Sequence, residues 1–251
     1  MKKFTVLLEA VIATASQVIF AGALLLFWLL GRALRKSDSF IARQVLKLML
    51  SVDHSVRRQV IAKLATPSFH VHPKNVFNFR VEFFRQNVNC EDVVLDVGSG
   101  SGVILTELSD VIAMGYGLDS DTRQMDENHT RYDLANIRFL VGDTENFEFK
   151  KFITDHSVSV VILSHILEHI ADAPGFLAKL SVEVLLICVP SAENWEYCLR
   201  DDLGLQLLSD PDHEREYTRE LLRSHLAVAG YHATYMGFNS EGEIVCRAER
   251  S

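Results

Sequence analysis

The stretch 92–105 constrains the fold of this chain more than any other. Residues 93–97 are almost all apolar and mostly β-branched, which is typical of a parallel strand buried on both faces. Three alternating glycines follow at Gly98, Gly100 and Gly102, where a missing Cβ lets the backbone turn sharply and approach a ligand. The next run has helical spacing, so its first N–H groups are expected to point back over the turn. We therefore predict a strand, a tight turn and a helix, with a nucleotide-like ligand above the turn.

The spacing of the glycines and one acid indicate the class of ligand. The dinucleotide pattern G-x-G-x-x-G does not fit, because the third glycine comes one residue early and position 103 is valine. The pattern is D-x-G-x-G-x-G, with Asp96 at the end of the strand. Its negative charge would repel a pyrophosphate and attract a cationic sulfonium or ammonium group. This motif resembles motif I of the class I S-adenosylmethionine (SAM) dependent methyltransferases.

The resemblance implies SAM as the cofactor and suggests the residues that bind it. A second strand, predicted at 113–119, ends at Asp119, whose carboxylate can accept from both ribose hydroxyls; Asp121 is the alternative if the strand is longer. A third strand, predicted at 137–141, is followed by Asp143, which matches the acid that receives the adenine amino group in the family. The predicted cofactor-binding residues are Asp96, Gly98, Ser99, Gly100, Gly102, Asp119, Asp143, Thr144 and Ser164.

After a fourth predicted strand, at 158–163, the chain resembles one group within these enzymes. Leu-Glu-His at 167–169 is similar to a signature of the ubiquinone-pathway O-methyltransferases and of the methyltransferase type 11/23 group. Methyl transfer to a hydroxyl needs alignment of donor and acceptor and removal of one proton. We expect Glu168, His169 and His213 to be catalytic, with His169 or His213 as the base, because histidine titrates nearest neutral pH. A structural role at the strand end is the alternative for His169.

The segment His165-x-x-Glu168-His169 also has the order H-x-x-E-H of the inverted zincins. It follows a strand of a nucleotide-binding fold, so a peptidase is not expected. Some members of the resembling family bind a divalent ion through E-x-x-E-H and a later histidine, and the ion lowers the pKa of the acceptor hydroxyl. Because His165 replaces the first glutamate, we predict no bound metal; if one binds, the candidate ligands are His165, Glu168 and His169.

The N-terminal region contains twenty residues without a charge, at 11–30. As a helix this run is about 30 Å long, the thickness of the hydrocarbon core of a bilayer. More lysines and arginines follow the run than precede it, which places the following domain in the cytoplasm. A cleaved signal peptide and a buried core helix fit the length of the run less well. We predict a single-pass membrane anchor at 1–36 with its helix at about 11–30.

The next segment, 37–66, combines basic residues with apolar ones at helical spacing. We predict an amphipathic helical linker that lies on an anionic membrane surface, with an ordinary packing helix as the alternative. A methyltransferase domain is predicted at 67–251. The net charge of the whole chain is −8 although residues 32–63 are strongly basic, so this domain is acidic and is not expected to bind nucleic acid. The four cysteines stand singly, which favours a reducing compartment.

Together these features predict an α/β, Rossmann-like fold with a seven-stranded, mostly parallel sheet, helices on both faces and an antiparallel last strand, plus the N-terminal transmembrane helix. A fifth strand is predicted at 184–189, and a closing hairpin near 232–238 and 243–247. The predicted function is SAM-dependent O-methylation of a lipid-linked or amphiphilic acceptor at the cytoplasmic face of a membrane. The expected partners are this small-molecule or lipid-linked acceptor and the membrane. The alternatives are a non-catalytic, membrane-tethered SAM-fold module and a nicotinamide-dependent oxidoreductase, which the glycine spacing disfavours.

Overall fold

The structure is a computed structural model that describes residues 43, 44, 46–48, 50, 79–144, 146–193, 195–205 and 212–251. The chain divides into two units, Met1–Arg57 and Arg58–Ser251. In the first unit the described residues between 43 and 50 are helical. The predicted anchor helix at 11–30 and the predicted domain boundary after residue 66 lie outside the described residues and stay predictions. Where the chain is described, none of its helices is both long and apolar enough to traverse a bilayer.

The second unit alternates strands and helices along its described length. Its strands are β1 (Val93–Val97), β2 (Met114–Asp119), β3 (Ile137–Val141), β4 (Val160–Ser164), β5 (Val184–Val189), β6 (Tyr231–Phe238) and β7 (Ile244–Arg250). Its helices are α1 (Phe79–Arg85), α2 (Val103–Leu108), α3 (Thr122–Arg131), α4 (Phe149–Asp155), α5 (Ala173–Leu180), α6 (Trp195–Asp202) and α7 (Arg219–Val228). The five strands predicted before the hairpin are confirmed, each within two residues at either end.

The strands form one seven-stranded sheet in the order β3-β2-β1-β4-β5-β7-β6. The first five strands pair in parallel, whereas β7 is antiparallel to both β5 and β6. The last strand of the chain is therefore antiparallel, as predicted. The chain runs outward from β1 to β3 and then returns to place β4 on the other side of β1. This reversal creates a crevice at the carboxyl ends of β1 and β4, where ligands bind in open α/β sheets.

The apolar side chains of the strands alternate between the two faces of the sheet. On one face, Leu95 and Val97 of β1 join a buried cluster that α4, α5 and α7 cover. On the other face, Val94 joins a second buried cluster, which α1, α2 and α3 cover. Every residue of the central strands β4 and β5 is buried, which explains their almost continuous apolar sequence. The predicted helical layers on both faces are confirmed.

Candidate functional site

The glycine turn after β1 is tied to the end of β2. The amides of Gly98 and Ser99 both donate to the carbonyl of Leu118, at 2.7 and 3.0 Å. The amide of Gly100 donates to Oδ2 of Asp119 at 2.9 Å. These three amides therefore have partners within the protein. The turn fixes the position of the Asp119 carboxylate.

The three glycines of the turn have different structural roles. A Cβ on Gly98 would lie 2.0 Å from Cδ1 of Ile166, and one on Gly102 would lie 2.6 Å from the ring of Phe139. At Gly100 the backbone also has a positive φ of 47°, but a Cβ would have no neighbour within 4 Å. Gly98 and Gly102 are thus required by close packing, while Gly100 faces open space. We call this open space the hollow; it borders the glycine turn, where the resemblance predicts the cofactor.

Asp96 lies at the carboxyl end of β1 and is fully buried. Neither of its carboxylate oxygens has a hydrogen-bond partner among the described residues, and the same is true of the buried hydroxyl of Ser164 at the end of neighbouring β4. Burial, together with the charge of Asp119, raises the pKa of Asp96 to about 8. Buried polar atoms almost always have partners, so unpartnered ones on adjacent strands indicate a place for a polar ligand.

The structure distinguishes the two candidate ribose residues. Asp121 caps helix α3, since its Oδ1 accepts from the amide of Gln124 at 3.1 Å. Asp119 is half-buried at the end of β2, and its Oδ1 accepts from the amide of Asp121 at 3.0 Å. A carboxylate has about four acceptor positions, so Asp119 retains the capacity to accept from ribose hydroxyls. Asp119 is therefore the better candidate of the two.

The adenine candidates follow β3. The amide of Gly142 donates to the carbonyl of Asp119 at 2.9 Å, which brings the end of β3 next to the end of β2. Asp143 is exposed and its Oδ2 accepts from the side-chain amide of Asn146 at 2.7 Å, while Thr144 is half-buried. The ends of β1, β2 and β3 thus lie side by side, as the proposed cofactor requires.

The side chain of Ser99, predicted to bind the cofactor, faces the protein interior in the structure. Its side chain is buried, and its Oγ lies 3.9 Å from Sδ of Met125, so it faces helix α3 rather than the hollow. Asn128, which the sequence analysis missed, supports the turn from the same helix: its side-chain amide donates to the carbonyl of Gly100 at 2.7 Å. The only sequence signal for Asn128 is its position one turn after Met125 on a helix face that turned out to be buried.

The second group of candidates assembles around Glu168. The segment after β4 is a turn rather than a helix, and His165 adopts a positive φ of 57° within it. One ligand atom from each of Glu168, His169 and His213 lies within 4.8 Å of the others. Glu168 is fully buried, and its Oε1 lies 3.2 Å from Nδ1 of His165. All three predicted catalytic residues therefore lie together.

Hydrogen bonds orient both histidine rings of this cluster. Nδ1 of His169 donates to the carbonyl of Asp212 at 3.1 Å, and Nδ1 of the buried His213 donates to Oε1 of Glu216 at 2.9 Å. In the neutral rings this leaves the lone pair on Nε2 of each histidine. The rings lie 4.7 Å apart, nearly perpendicular. A carboxylate and two such imidazoles are suited both to proton transfer and to holding a divalent cation.

The position of His165 does not fit the metal-ligand set of His165, Glu168 and His169 that the sequence suggested. Its Nε2 lies 2.8 Å from Oε1 of Glu243, and its Nδ1 lies 3.2 Å from Oε1 of Glu168. Burial lowers the pKa of His165, but the two carboxylates outweigh it and raise the pKa overall. Among the described residues, His165 groups with Cys188 and Glu243, and the sequence-based trio of His165, Glu168 and His169 does not assemble. The backbone conformation of His165 turns its ring toward Glu243, just before β7. His213, instead of His165, joins Glu168 and His169 in the cluster.

Glu243 precedes β7 and was not identified from the sequence. It accepts from Cys188 Sγ at 3.2 Å and from the side-chain amide of Asn239 at 2.8 Å. Burial raises the pKa of Glu243, yet His165 and Arg80 outweigh it and bring the pKa to about 2. The His165–Glu243 pair is therefore saturated with protein partners, which fits a structural role better than metal binding.

Comparison with known proteins supports the fold. The family described as "Methyltransferase domain" matches residues 95–182, which span β1 to the residues just before β5. A curated relative, "Probable ribosomal RNA small subunit methyltransferase A" of Thermococcus gammatolerans, is 24% identical over 116 residues, or 44% of this chain and 42% of the relative. The chain thus spans less than half the length of the curated relative that it matches.

Two solved structures share the fold. A SAM-dependent methyltransferase from Aquifex aeolicus has a TM-score of 0.54 and 16% identity, covering 71% of this chain and 94% of that one. The magnesium protoporphyrin IX methyltransferase of Synechocystis PCC 6803, solved with bound SAH, has a TM-score of 0.53 and 16% identity, covering 82% of this chain and 99% of that one. Residues 95–182 thus match the methyltransferase-domain family, and the described part of the second unit shares the fold of these SAM-dependent methyltransferases.

Proposed function

We propose that this protein transfers a methyl group from SAM to a hydroxyl of an amphiphilic or lipid-linked acceptor. One observation carries the proposal: the carboxylate of Asp96 is buried without a partner at the crevice between β1 and β4, beside the open hollow at Gly100. A cationic ligand would stabilise the ionised form of this carboxyl group and pair with it, whereas an anionic pyrophosphate would gain no such ion pair. The same feature therefore favours SAM over a nicotinamide dinucleotide.

The ends of three adjacent strands would hold the cofactor. Asp96 and Ser164 would face its charged amino-acid portion, since their polar atoms have no other partner in the described chain. Asp119 would accept from the ribose hydroxyls, because the Gly100 amide already fixes its carboxylate. Asp143 would accept from the adenine amino group at the end of β3. When bound, SAM supplies an electrophilic methyl group on a sulfonium.

His213 is the base that we favour for the acceptor proton. The ring is buried and Glu216 holds its Nδ1, so Nε2 can take the proton as the acceptor oxygen attacks the methyl carbon. The carboxylate of Glu216 would then stabilise the imidazolium that forms. His169 lies against the same ring and is the second candidate. The cluster is on the same edge of the sheet as the glycine turn, because Ile166 reaches from its turn to Gly98.

The cluster of Glu168, His169 and His213 also fits a divalent cation. The fit rests on the buried carboxylate of Glu168 and on two imidazoles whose Nδ1 atoms are held by carbonyl and carboxylate oxygens. With a cation bound, Glu168 would provide the anionic ligand and Nε2 of each histidine a neutral one, and His213 would then not act as the base. A bound cation would supply the charge that lowers the pKa of the acceptor hydroxyl.

The acceptor class is inferred from the N-terminal sequence. The uncharged run at 11–30 and the basic segment after it would hold the catalytic domain against an anionic membrane surface. An acceptor with a lipid portion would then be available at high local concentration. The competing interpretation is a membrane-tethered module that binds SAM without transferring its methyl group.

Incubation of the full-length protein and membrane extract with SAM carrying a tritiated methyl group tests this proposal. We expect label in the extractable lipid fraction with the wild type, and none with Gly100→Arg, whose side chain would fill the hollow. Binding of SAM without transfer would favour the non-catalytic module. Transfer that is unaffected by Gly100→Arg would place the active site elsewhere and contradict the proposal.

A further inference from the structure

Two separate segments of the chain supply the residues of the catalytic cluster. Glu168 and His169 belong to the turn after β4, whereas His213 belongs to the segment that precedes α7. The two segments are distant in sequence, so their relative position depends on tertiary contacts. Some contacts come from the backbone: the amide of Glu214 donates to the carbonyl of Glu168 at 2.8 Å.

Arg215 provides the largest set of side-chain contacts between these segments. Its Nη1 donates to the carbonyl of Leu167 at 3.3 Å and to that of Ile170, and its Nη2 donates to the carbonyl of Ala171 at 2.7 Å. One guanidinium thus binds three carbonyls of the turn that carries Glu168. The planar guanidinium presents several donors in a fixed geometry, which a lysine cannot reproduce.

We propose that Arg215 is a positioning residue for the proposed methyl transfer, because it holds the turn of Glu168 and His169 in register with His213. The buried Tyr217 reinforces the same connection, since its hydroxyl donates to the carbonyl of Leu167 at 3.4 Å. Arg215 lies two residues from His213 in sequence, so any movement of its guanidinium shifts the ring relative to the turn. The cofactor residues Asp96 and Asp119 do not contact Arg215 through any of these hydrogen bonds, so SAM binding should not depend on it.

The test compares Arg215→Ala and Arg215→Lys with Arg223→Ala, which removes an exposed arginine of α7 as a matched control. In the tritium-transfer assay we expect Arg215→Ala to lower kcat by roughly tenfold to a hundredfold, the range that a small displacement of catalytic groups causes. The Kd for SAM should change less than about twofold, since the cofactor contacts remain. The kcat of Arg215→Lys should be nearly as low as that of Arg215→Ala. Addition of millimolar guanidinium should restore part of the kcat of Arg215→Ala. Arg223→Ala should match the wild type.

Because this inference rests on the proposed function, a second measurement does not use methyl transfer. In ¹H–¹⁵N spectra, Arg215→Ala should shift the ring signals of His169 and His213 and leave those of His129 and His232 unchanged. If the wild type transfers no label but these selective shifts occur, the proposed function fails and the positioning role stands. A parallel loss of SAM affinity, a shift of all four histidine signals, or an unchanged kcat with unchanged spectra would overturn the positioning role.

Discussion

The amide of Gly100 donates a hydrogen bond to the carboxylate of Asp119 at 2.9 Å and thereby joins the glycine turn of β1 to the end of β2. Two parts of the proposed cofactor site are therefore assembled by one contact. The contact explains why an acid is needed at the end of β2 even without a ligand. If Asp119 binds the ribose as proposed, SAM binding is coupled to the shape of the turn through this residue.

Replacing Asp119 should weaken SAM binding much more than replacing its neighbour. Asp119→Ala removes the predicted ribose acceptor and the partner of the Gly100 amide, and hydrogen bonds to charged groups contribute about 1.5–3 kcal/mol each. We expect the Kd for SAM, measured by calorimetry, to rise on the order of tenfold to a hundredfold. Asp121→Ala is the control: it removes the cap of α3, at a cost of about 1 kcal/mol of stability, and should leave the Kd unchanged. Equal effects of the two variants on the Kd would exclude the ribose role.

The buried carboxylate of Asp96 should make SAM binding dependent on pH. Its pKa is about 8, compared with an ordinary value of 3.8, so at pH 7 it is mostly protonated before binding. A cationic ligand favours the ionised form, so binding at pH 7 should release a proton and affinity should increase as the pH rises toward 8. Calorimetry in two buffers with different ionisation enthalpies measures this proton. Asp96→Asn should bind SAM more weakly, with no proton release; if it released as many protons as the wild type, Asp96 would not be the titrating group.

The same group should affect stability in the absence of ligand. Between pH 3.8 and about 8, the folded protein holds a proton on Asp96 that the unfolded chain has lost. The unfolded state then binds fewer protons, so the free energy of unfolding contributed by this group decreases as pH rises through that interval. Denaturant titrations of the wild type and Asp96→Asn should therefore diverge with rising pH, with the variant relatively more stable near pH 8 than near pH 5. A constant difference between the two proteins across this interval would contradict the raised pKa.

Substitution of Gly98 should destabilise the fold for two reasons: the close approach of Ile166 and the positive φ of the backbone. Gly98→Ala would force the non-glycine residue into a positive φ of 72° and place Cβ 2.0 Å from Cδ1 of Ile166. We expect a lower Tm and a loss of SAM affinity. The double variant with Ile166→Ala should recover part of the Tm, because the clash is relieved while the backbone strain remains. Gly230→Ala, with a φ of 81° but no neighbour within 4 Å, measures the strain alone, at about 1–2 kcal/mol.

Removal of divalent cations should affect the proposed catalytic cluster without affecting the proposed cofactor site. If a cation occupies the cluster of Glu168, His169 and His213, dialysis against a chelator should lower the rate of methyl transfer and leave the Kd for SAM unchanged, since no cofactor residue is a ligand. Binding of Mn²⁺ to the dialysed protein should be lost in Glu168→Gln and retained in His165→Asn, because His165 faces Glu243. Retained binding in Glu168→Gln would show that the cation is held elsewhere.

Local sequence patterns were sufficient to predict most of the fold. Each parallel strand is a short, mainly apolar run, and the full burial of β4 and β5 leaves little alternative to a doubly covered sheet. The clustering of Asp96, Asp119 and Asp143 was also predictable, because parallel strands end at one edge of the sheet. These predictions were possible because each strand and the acid at its end are specified by residues that are close together in the sequence.

Contacts between distant segments could not be predicted in the same way. Ser99 was placed in the cofactor site because it lies between two glycines, but the turn directs its side chain toward Met125. Glu243 lies in the turn between β6 and β7, and nothing near it in sequence indicates that it pairs with His165. Arg215 looked like one charge among several, and its role emerges only from three backbone carbonyls that converge on it.

Calorimetric titration of the purified full-length protein with SAM tests the central claim most directly. The account predicts saturable binding with one SAM per chain, accompanied by proton release at pH 7 and abolished by Gly100→Arg. An absence of binding, or the same binding isotherm with Gly100→Arg, would contradict the claim that the hollow between the ends of β1 and β4 holds the cofactor.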